Sequence, residues 1–140
     1  RQMCIRDRLD QGRALGIFPE GTRSKRTEAQ FLLPGKTGVA RLAASYPECV
    51  VVPIAMTGTR AMMEPQKHKI PRLHKRVTIQ SGEGVSWYQW LTDVNGGNQS
   101  ATSLKALGER EEHEIRSELA ALYRRFTDQL MGSILALGAP

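Results

Sequence analysis

The apolar positions in the first half of the chain form two short continuous runs with a periodic stretch between them. Residues 14–18 and 49–56 are the runs, and each predicts a strand; the second has the pattern of a strand buried on both faces of a parallel sheet. Residues 35–46 predict a helix, because apolar side chains recur there at helical spacing. A strand, a helix and a strand in this order predict a βαβ unit with a right-handed crossover. The apolar face of the helix consists of Val39, Leu42 and Ala43.

The second half of the chain predicts a third strand and one long helix. Residues 75–82 alternate between apolar and polar side chains, as a strand does. Residues 60–74 are basic and interrupted by prolines, and residues 93–103 contain two adjacent glycines, so both stretches predict loops, the second a flexible one. From about residue 109 to residue 137 the pattern predicts an amphipathic helix lying against the sheet. Its apolar stripe consists of Ile115, Leu119, Leu122, Phe126, Leu130, Ile134 and Leu137.

These elements predict the α/β fold class, with a partial mixed or parallel sheet, flanking helices and a long C-terminal amphipathic helix. Residues 9–92 are predicted to form the α/β domain, residues 93–103 a flexible loop, and residues 104–140 a helix packed on the domain. Residues 1–8 show neither strand nor helix periodicity. We expect them to be a non-native or junction segment, with a frayed natural segment as the alternative.

Pro53 lies inside the second predicted strand, where its missing N–H removes one hydrogen bond from the ladder. Proline at such a position predicts an edge strand, a bulge or a bend. The pattern leaves two interpretations open: an ordinary edge strand, or a strand bent to shape a pocket.

The composition points to anionic partners. The chain has 20 Lys and Arg against 14 Asp and Glu, a net charge of +6. This balance favours phosphorylated substrates, coenzyme A or acyl-carrier protein, anionic lipid or nucleic acid. Cys4 and Cys49 lie far apart without CxxC spacing, which argues against a metal site or a disulfide scaffold and suits a reducing cytosolic setting. No run of 18 apolar residues occurs, so any membrane contact of this stretch is expected to be peripheral.

A polar loop directly after the first predicted strand carries the strongest chemical signal. Residues 18–24 read FPEGTRS, at a place where open α/β sheets bind ligands. Gly21 allows the backbone to approach a ligand closely. Arg23 offers a planar fork of donors that suits phosphate. The loop is therefore predicted to hold an anion.

The FPEGTRS stretch resembles a motif of the glycerolipid acyltransferases, the lysophosphatidic acid acyltransferase family. GKTGVARLA at residues 35–43 resembles the helix that follows this motif, and VVPIAMTG at residues 51–58 resembles the family's later proline-containing strand. The three blocks keep the family's order and spacing from residue 14 to about residue 84. The resemblance implies the family's fold. It also implies transfer of a fatty acyl group from acyl-CoA or acyl-carrier protein to 1-acylglycerol-3-phosphate, giving phosphatidic acid in phospholipid biosynthesis, with no further cofactor.

The resemblance assigns substrate-binding roles to the residues of the motif. Arg23 is expected to bind the phosphate of the acceptor. Glu20 and Gly21 are carried over as residues of the acceptor pocket, although Glu20 is equally well interpreted as a structural carboxylate that accepts loop N–H groups. Thr22 and Ser24 are expected either to donate to the phosphate or to stabilise the turn.

Lys36 and Pro53 complete the predicted binding site. Lys36 lies at the predicted helix start, where N–H groups and the helix dipole favour anions. Two interpretations of Lys36 remain open: a second contact with the phosphate, or a solvated lysine. Pro53 is expected to border the pocket from the neighbouring strand. Residues 30–37 also approach the P-loop pattern GxxxxGK[ST], but Gln30 stands where the first glycine is needed, which disfavours nucleotide hydrolysis.

The family's catalytic histidine, in an HxxxxD block before FPEGTRS, has no counterpart here. The 17 residues before Phe18 contain no histidine. His113 has Glu118 at the required interval, but both are predicted to lie on the solvated side of the late helix, so His113 is interpreted as structural. We therefore expect a C-terminal portion of an acyltransferase that has no catalytic residue of its own and is inactive alone. The histidines of the chain are His68, His74 and His113.

A basic cluster occupies residues 67–76, with five fixed positive charges among ten residues and Ile70 and Leu73 between them. It predicts peripheral contact with the cytoplasmic face of the cell membrane, with a solvated basic loop as the alternative. Nucleic acid is not expected, because the cluster has no aromatic side chain on which a base could stack. The rival overall interpretation is a non-catalytic basic module that binds anionic membrane or nucleic acid.

Overall fold

The computed structural model of the chain describes residues 2–22, 24–26, 31–63, 70 and 72–140. Within these ranges the fold is mixed α/β, with two small antiparallel sheets and a long C-terminal helix. The elements are α1 (Gln2–Asp10), α2 (Gly38–Ser45), β1 (Val50–Val51), β2 (Ile54–Thr57), α3 (Thr59–Met62), β3 (Thr78–Ser81), β4 (Val85–Ser86), α4 (Trp87–Thr92), α5 (Ala101–Gly108) and α6 (Glu112–Ala136).

The strands pair in antiparallel fashion, so the predicted parallel βαβ unit is wrong for the described part of the chain. β1 pairs with β4, and β2 pairs with β3 from Ile54 opposite Ser81 to Thr57 opposite Thr78. The predicted third strand at residues 75–82 is thus present as the shorter β3. Strand pairing joins residues that are distant in sequence, which the local pattern does not encode.

The predicted strand at residues 49–56 is interrupted at Pro53. β1 ends at Val51 and β2 begins at Ile54, and the Pro53 carbonyl accepts a hydrogen bond from the Gly82 N–H at 2.9 Å. Pro53 has no N–H with which to continue a ladder, so the chain breaks the strand there.

Only one face of this region is covered, which contradicts the predicted burial on both faces. Pro53 and Ala55 are buried, and β2 packs on α6. The alternate side chains are exposed, and no described element covers them. The exposed apolar side chains of this face are Val50, Val52, Ile54 and Met56.

The predicted first strand at residues 14–18 does not form. The chain there has no regular secondary structure, and Phe18 is 71% exposed. A strand needs a neighbour to receive its backbone hydrogen bonds, and no described strand pairs with these residues. The apolar run has the composition of a strand, but composition alone does not determine whether a second strand is available to pair with it.

The first ten residues also differ from the sequence prediction, because Gln2–Asp10 is helical. Of the α1 side chains that the structure describes, Ile5 and Leu9 are half-buried and the rest are exposed. Good helix formers such as Leu and Arg account for a helix without an apolar stripe. The absence of periodicity therefore did not exclude a helix here.

The core lies where α6 packs on α2 and on the tryptophans of α4. Four aromatic rings meet there, with centroids 5.0 to 5.6 Å apart, and Trp90 and Phe126 are arranged edge to face. The predicted stripe of the long helix is confirmed at its centre, where Leu122, Phe126, Leu130 and Ile134 are buried. The aromatic cluster consists of Trp87, Trp90, Tyr123 and Phe126.

The region predicted as a flexible loop followed by one helix is instead a packed turn followed by two helices. The Asp93 carboxylate accepts hydrogen bonds from the N–H groups of Asn95 at 2.7 Å and Gly96 at 3.1 Å. A Cβ on Gly96 would lie 2.2 Å from the Trp90 carbonyl oxygen, so the glycine serves close packing. Ser100 then begins α5 with a reciprocal capping box. Among the helices of the described ranges, none is both long enough and apolar enough to cross a membrane.

Candidate anion-binding site

The FPEGTRS stretch begins with a tight turn centred on Gly21. The Gly21 N–H donates to the Phe18 carbonyl at 3.0 Å, and the φ angle of Gly21 is +68°. This left-handed conformation costs glycine little and other residues more. The turn therefore requires the glycine that the motif contains.

Two hydrogen bonds join this turn to the segment before α2. The Lys36 N–H donates to the Pro19 carbonyl at 2.8 Å. The Leu33 N–H donates to Oε2 of Glu20 at 2.7 Å, and Glu20 is half-buried. The two blocks identified in the sequence therefore lie against each other. The Glu20 contact is the structural role that the sequence left open beside a pocket role.

The side chain of Lys36 runs across the surface of Gly21. A Cβ placed on Gly21 would lie 3.0 Å from Lys36 Cδ and 3.1 Å from its Nζ. No carboxylate of the described residues forms an ion pair with Lys36. The ammonium charge thus lies beside the turn without a described acidic partner.

The start of α2 adds a second source of positive potential. α2 begins at Gly38, three residues later than predicted, and Thr37 makes no side-chain capping bond. Its first turn, all of which is described, contains no acidic residue. The first N–H groups of a helix and its dipole attract anions. Lys36 lies two residues before Gly38, so the two contributions come from neighbouring positions of the chain.

Gly35, in the segment before α2, is engaged by α6. A Cβ on Gly35 would lie 2.8 Å from Met131 Cγ and 2.8 Å from Thr127 Cγ2. The Gly35 carbonyl accepts a hydrogen bond from Nη1 of Arg124 at 2.9 Å. The peptide before Lys36 therefore rests directly on the C-terminal helix.

The other predicted site residues are placed as follows. Arg23 lies outside the described residues. Thr22 is exposed, and the half-buried Ser24 accepts a hydrogen bond from the Arg26 N–H at 3.4 Å, a local contact two residues apart. Pro53 is buried near Gly82, and none of the contacts described here connects it to the turn at Gly21.

Two arginines that sequence reasoning did not select hold this region. Arg124 contacts Gly35, as described above. The Arg60 guanidinium carbon lies 4.0 Å from the centroid of the Phe31 ring, and Arg60 also donates to the Arg26 carbonyl. Both arginines are distant in sequence from the residues that they contact, so no spacing in the sequence could have revealed them.

The described histidines show no arrangement for catalysis. The side chain of His113 is 78% exposed, and its Nδ1 lies 3.9 Å from a carboxylate oxygen of Glu111. This agrees with the predicted solvated side of the late helix. His74 is exposed, and His68 lies outside the described residues.

The comparison with protein families agrees with the class of chemistry suggested by the motif. The acyltransferase family model matches residues 1–57, a range that includes the Gly21 turn, Lys36 and α2. The match also includes residues 1–8, which the sequence analysis set apart. It supports an acyltransferase family and acyl transfer in general. No curated protein and no solved structure matches the chain significantly.

Proposed function

We propose that this chain is the acceptor-binding part of an enzyme of phospholipid biosynthesis. The enzyme transfers a fatty acyl group from acyl-CoA or acyl-carrier protein to 1-acylglycerol-3-phosphate. The observation that carries the proposal is the ammonium group of Lys36 beside the Gly21 turn, on a residue that lies two positions before the first residue of α2. The family match supports the acyl transfer, and the local positive charge supports a phosphorylated acceptor.

A phosphate group fits the chemistry of this site. Lys36 supplies a point charge, the start of α2 supplies a dipole, and Arg23 is proposed to add a bidentate fork. The Glu20 carboxylate accepts the Leu33 N–H and so has a structural partner inside the loop. Charge-assisted hydrogen bonds from Lys36 and Arg23 to a phosphate would contribute about 1.5–3 kcal/mol each.

The proposed role of the site in the reaction is to fix the position of the acceptor. The acceptor hydroxyl oxygen attacks the thioester carbonyl carbon, its proton passes to a general base, and the C–S bond breaks to release the thiol. Holding the phosphate keeps that hydroxyl in a reactive orientation. The resemblance assigns the base to an HxxxxD block that these 140 residues do not contain. Binding is therefore the appropriate test of this chain, and we expect no turnover by it.

The test is a calorimetric titration of the 140-residue chain with short-chain 1-acylglycerol-3-phosphate. Lys36→Gln and Arg23→Gln are each expected to weaken binding by about tenfold or more, the equivalent of one charge-assisted hydrogen bond. The matching 1-acylglycerol, which lacks the phosphate, is expected to bind weakly to every variant.

Lys105→Gln is the matched control, because Lys105 is an exposed lysine on α5 and the substitution removes the same charge. Its affinity should stay within about twofold of the unmodified chain. Unchanged binding by Lys36→Gln, or an equal loss in Lys105→Gln, would refute a specific phosphate site.

We also propose peripheral contact with the cytoplasmic face of the cell membrane. Ile70 and Leu73 are 79% and 86% exposed, and Arg72, Lys75 and Arg76 are exposed near Leu73 in sequence. Each basic residue near an anionic surface contributes about 1 kcal/mol. In flotation assays the chain should bind anionic vesicles more strongly than neutral ones, and equal binding would contradict the proposal. Strong binding to anionic vesicles or nucleic acid without affinity for 1-acylglycerol-3-phosphate would favour the non-catalytic basic module.

A further inference from the structure

We infer that Arg124 of α6 is a positioning residue for the anion site, acting on Lys36 through the carbonyl of Gly35. The inference rests on the proposed function, since it assigns Lys36 a role in binding phosphate. Arg124 lies outside residues 1–57, the range matched by the acyltransferase family model.

The guanidinium of Arg124 is held in one orientation by its own helix. Its Nε donates to Oδ2 of Asp128 at 2.9 Å, and its Nη2 donates to the other carboxylate oxygen. This fork-to-carboxylate geometry aims the remaining nitrogen, Nη1, at the Gly35 carbonyl 2.9 Å away. Because Asp128 neutralises the charge of Arg124, the pair acts on the site mainly through geometry.

Lys36 is consequently fixed from two sides. On one side, its N–H donates to the Pro19 carbonyl at 2.8 Å. On the other side, the preceding peptide packs on α6 so closely that a Cβ on Gly35 would lie 2.8 Å from Thr127, a fully buried side chain. The lysine stem is flexible, so a defined position for its ammonium group depends on a fixed backbone.

One substitution separates positioning from electrostatics. Asp128→Asn raises the net charge near the site, so an electrostatic effect alone would tighten anion binding. The same substitution loosens the orientation of Arg124, so positioning predicts weaker binding. Glu112→Gln is the matched control, because Glu112 pairs with Arg116 on the same helix and both side chains are largely exposed.

The experiment combines amide hydrogen exchange by NMR with titration of short-chain 1-acylglycerol-3-phosphate, on the full 140-residue chain. In Asp128→Asn and Arg124→Lys, we expect the Lys36 amide to exchange about tenfold faster and the acceptor affinity to fall about three- to tenfold. The Leu130 amide, in the buried part of α6, reports whether the variants stay folded and should keep its protection. Glu112→Gln should change neither quantity.

The two measurements show separately whether the role of Arg124 or the proposed function is wrong. An unchanged Lys36 amide in both variants, or tighter acceptor binding by Asp128→Asn, would overturn the positioning role of Arg124. Faster exchange at Lys36 in a chain whose unmodified form does not bind the phosphorylated acceptor would uphold the coupling between Arg124 and Lys36. That result would refute the proposed function instead.

Discussion

Two glycine-to-alanine substitutions test whether α6 really packs against the loop that carries Lys36. At Gly35 the added methyl group would lie 2.8 Å from side-chain carbons of Thr127 and Met131, both of which are buried. Relief requires a shift of α6 or of the loop, and overpacking of this kind costs about 1–3 kcal/mol. We therefore expect Gly35→Ala to be destabilising.

At Gly132 the same methyl group meets nothing within 4 Å. Gly132 lies in the interior of α6 and is exposed, so alanine should stabilise the helix by about 0.8–1 kcal/mol. Both substitutions restrict the unfolded chain alike. The difference between the variants, about 2–4 kcal/mol in the free energy of unfolding, therefore reports the two native environments.

Urea unfolding followed by the fluorescence of Trp87 and Trp90 measures this difference, because both indoles lie in the core beside α6. With a denaturant slope of about 2 kcal/mol/M, the two midpoints should differ by about 1–2 M. The reasoning is refuted if Gly35→Ala is as stable as the unmodified chain, or if the two substitutions shift the midpoint in the same direction. A Gly35→Ala variant that is no less stable would mean that α6 does not pack on Gly35, and a destabilised Gly132→Ala variant would mean that Gly132 is not in open space.

Two further substitutions test the core and the loop. Phe126→Ala, which removes a buried ring in contact with Trp87, should lower the free energy of unfolding by about 3–5 kcal/mol. Tyr88→Ala, at an exposed aromatic, should change it by less than about 0.5 kcal/mol, and similar losses in the two variants would contradict the assigned core. Glu20→Ala leaves the Leu33 N–H without its acceptor and should cost about 1–3 kcal/mol in urea unfolding, with Glu20→Gln milder. Full stability of Glu20→Ala would exclude the structural role.

The sequence predicted α6 well because a helix is a local structure. Its hydrogen bonds join residues four apart, and the apolar stripe from Ile115 to Leu137 repeats over about six turns. The pattern of apolar positions is therefore enough to predict most of the helix. Leu122, Phe126 and Ile134 are buried as the spacing predicts. The packing partners agree with the prediction in part, since α6 packs on β2, as expected of a sheet, but also on α2 and on the Trp87 and Trp90 rings of α4.

The strands were predicted less well because a strand is completed by a distant partner. The run at residues 14–18 has the composition of a strand but lacks a described neighbour. The run at residues 49–56 does form strands. Their antiparallel pairing follows from contacts with residues 21 to 36 positions later, and β2 is covered on one face by α6. Amino-acid composition predicts that a segment is suited to form a strand. It does not predict which strand it pairs with or which of its faces is covered.

In the candidate site, as in the fold, some properties depend on local residue types and others depend on contacts with residues distant in sequence. Residue types in the FPEGTRS stretch predict an anion-binding turn because Gly21 and Arg23 have intrinsic properties that suit one. Gly21 in fact meets two requirements: its φ angle of +68° disfavours a side chain, and a Cβ would enter the space taken by Lys36. The second requirement follows from the folded chain alone. It exists because α6 holds the peptide before Lys36, so the chemistry of the motif and the geometry of the site originate in different parts of the chain.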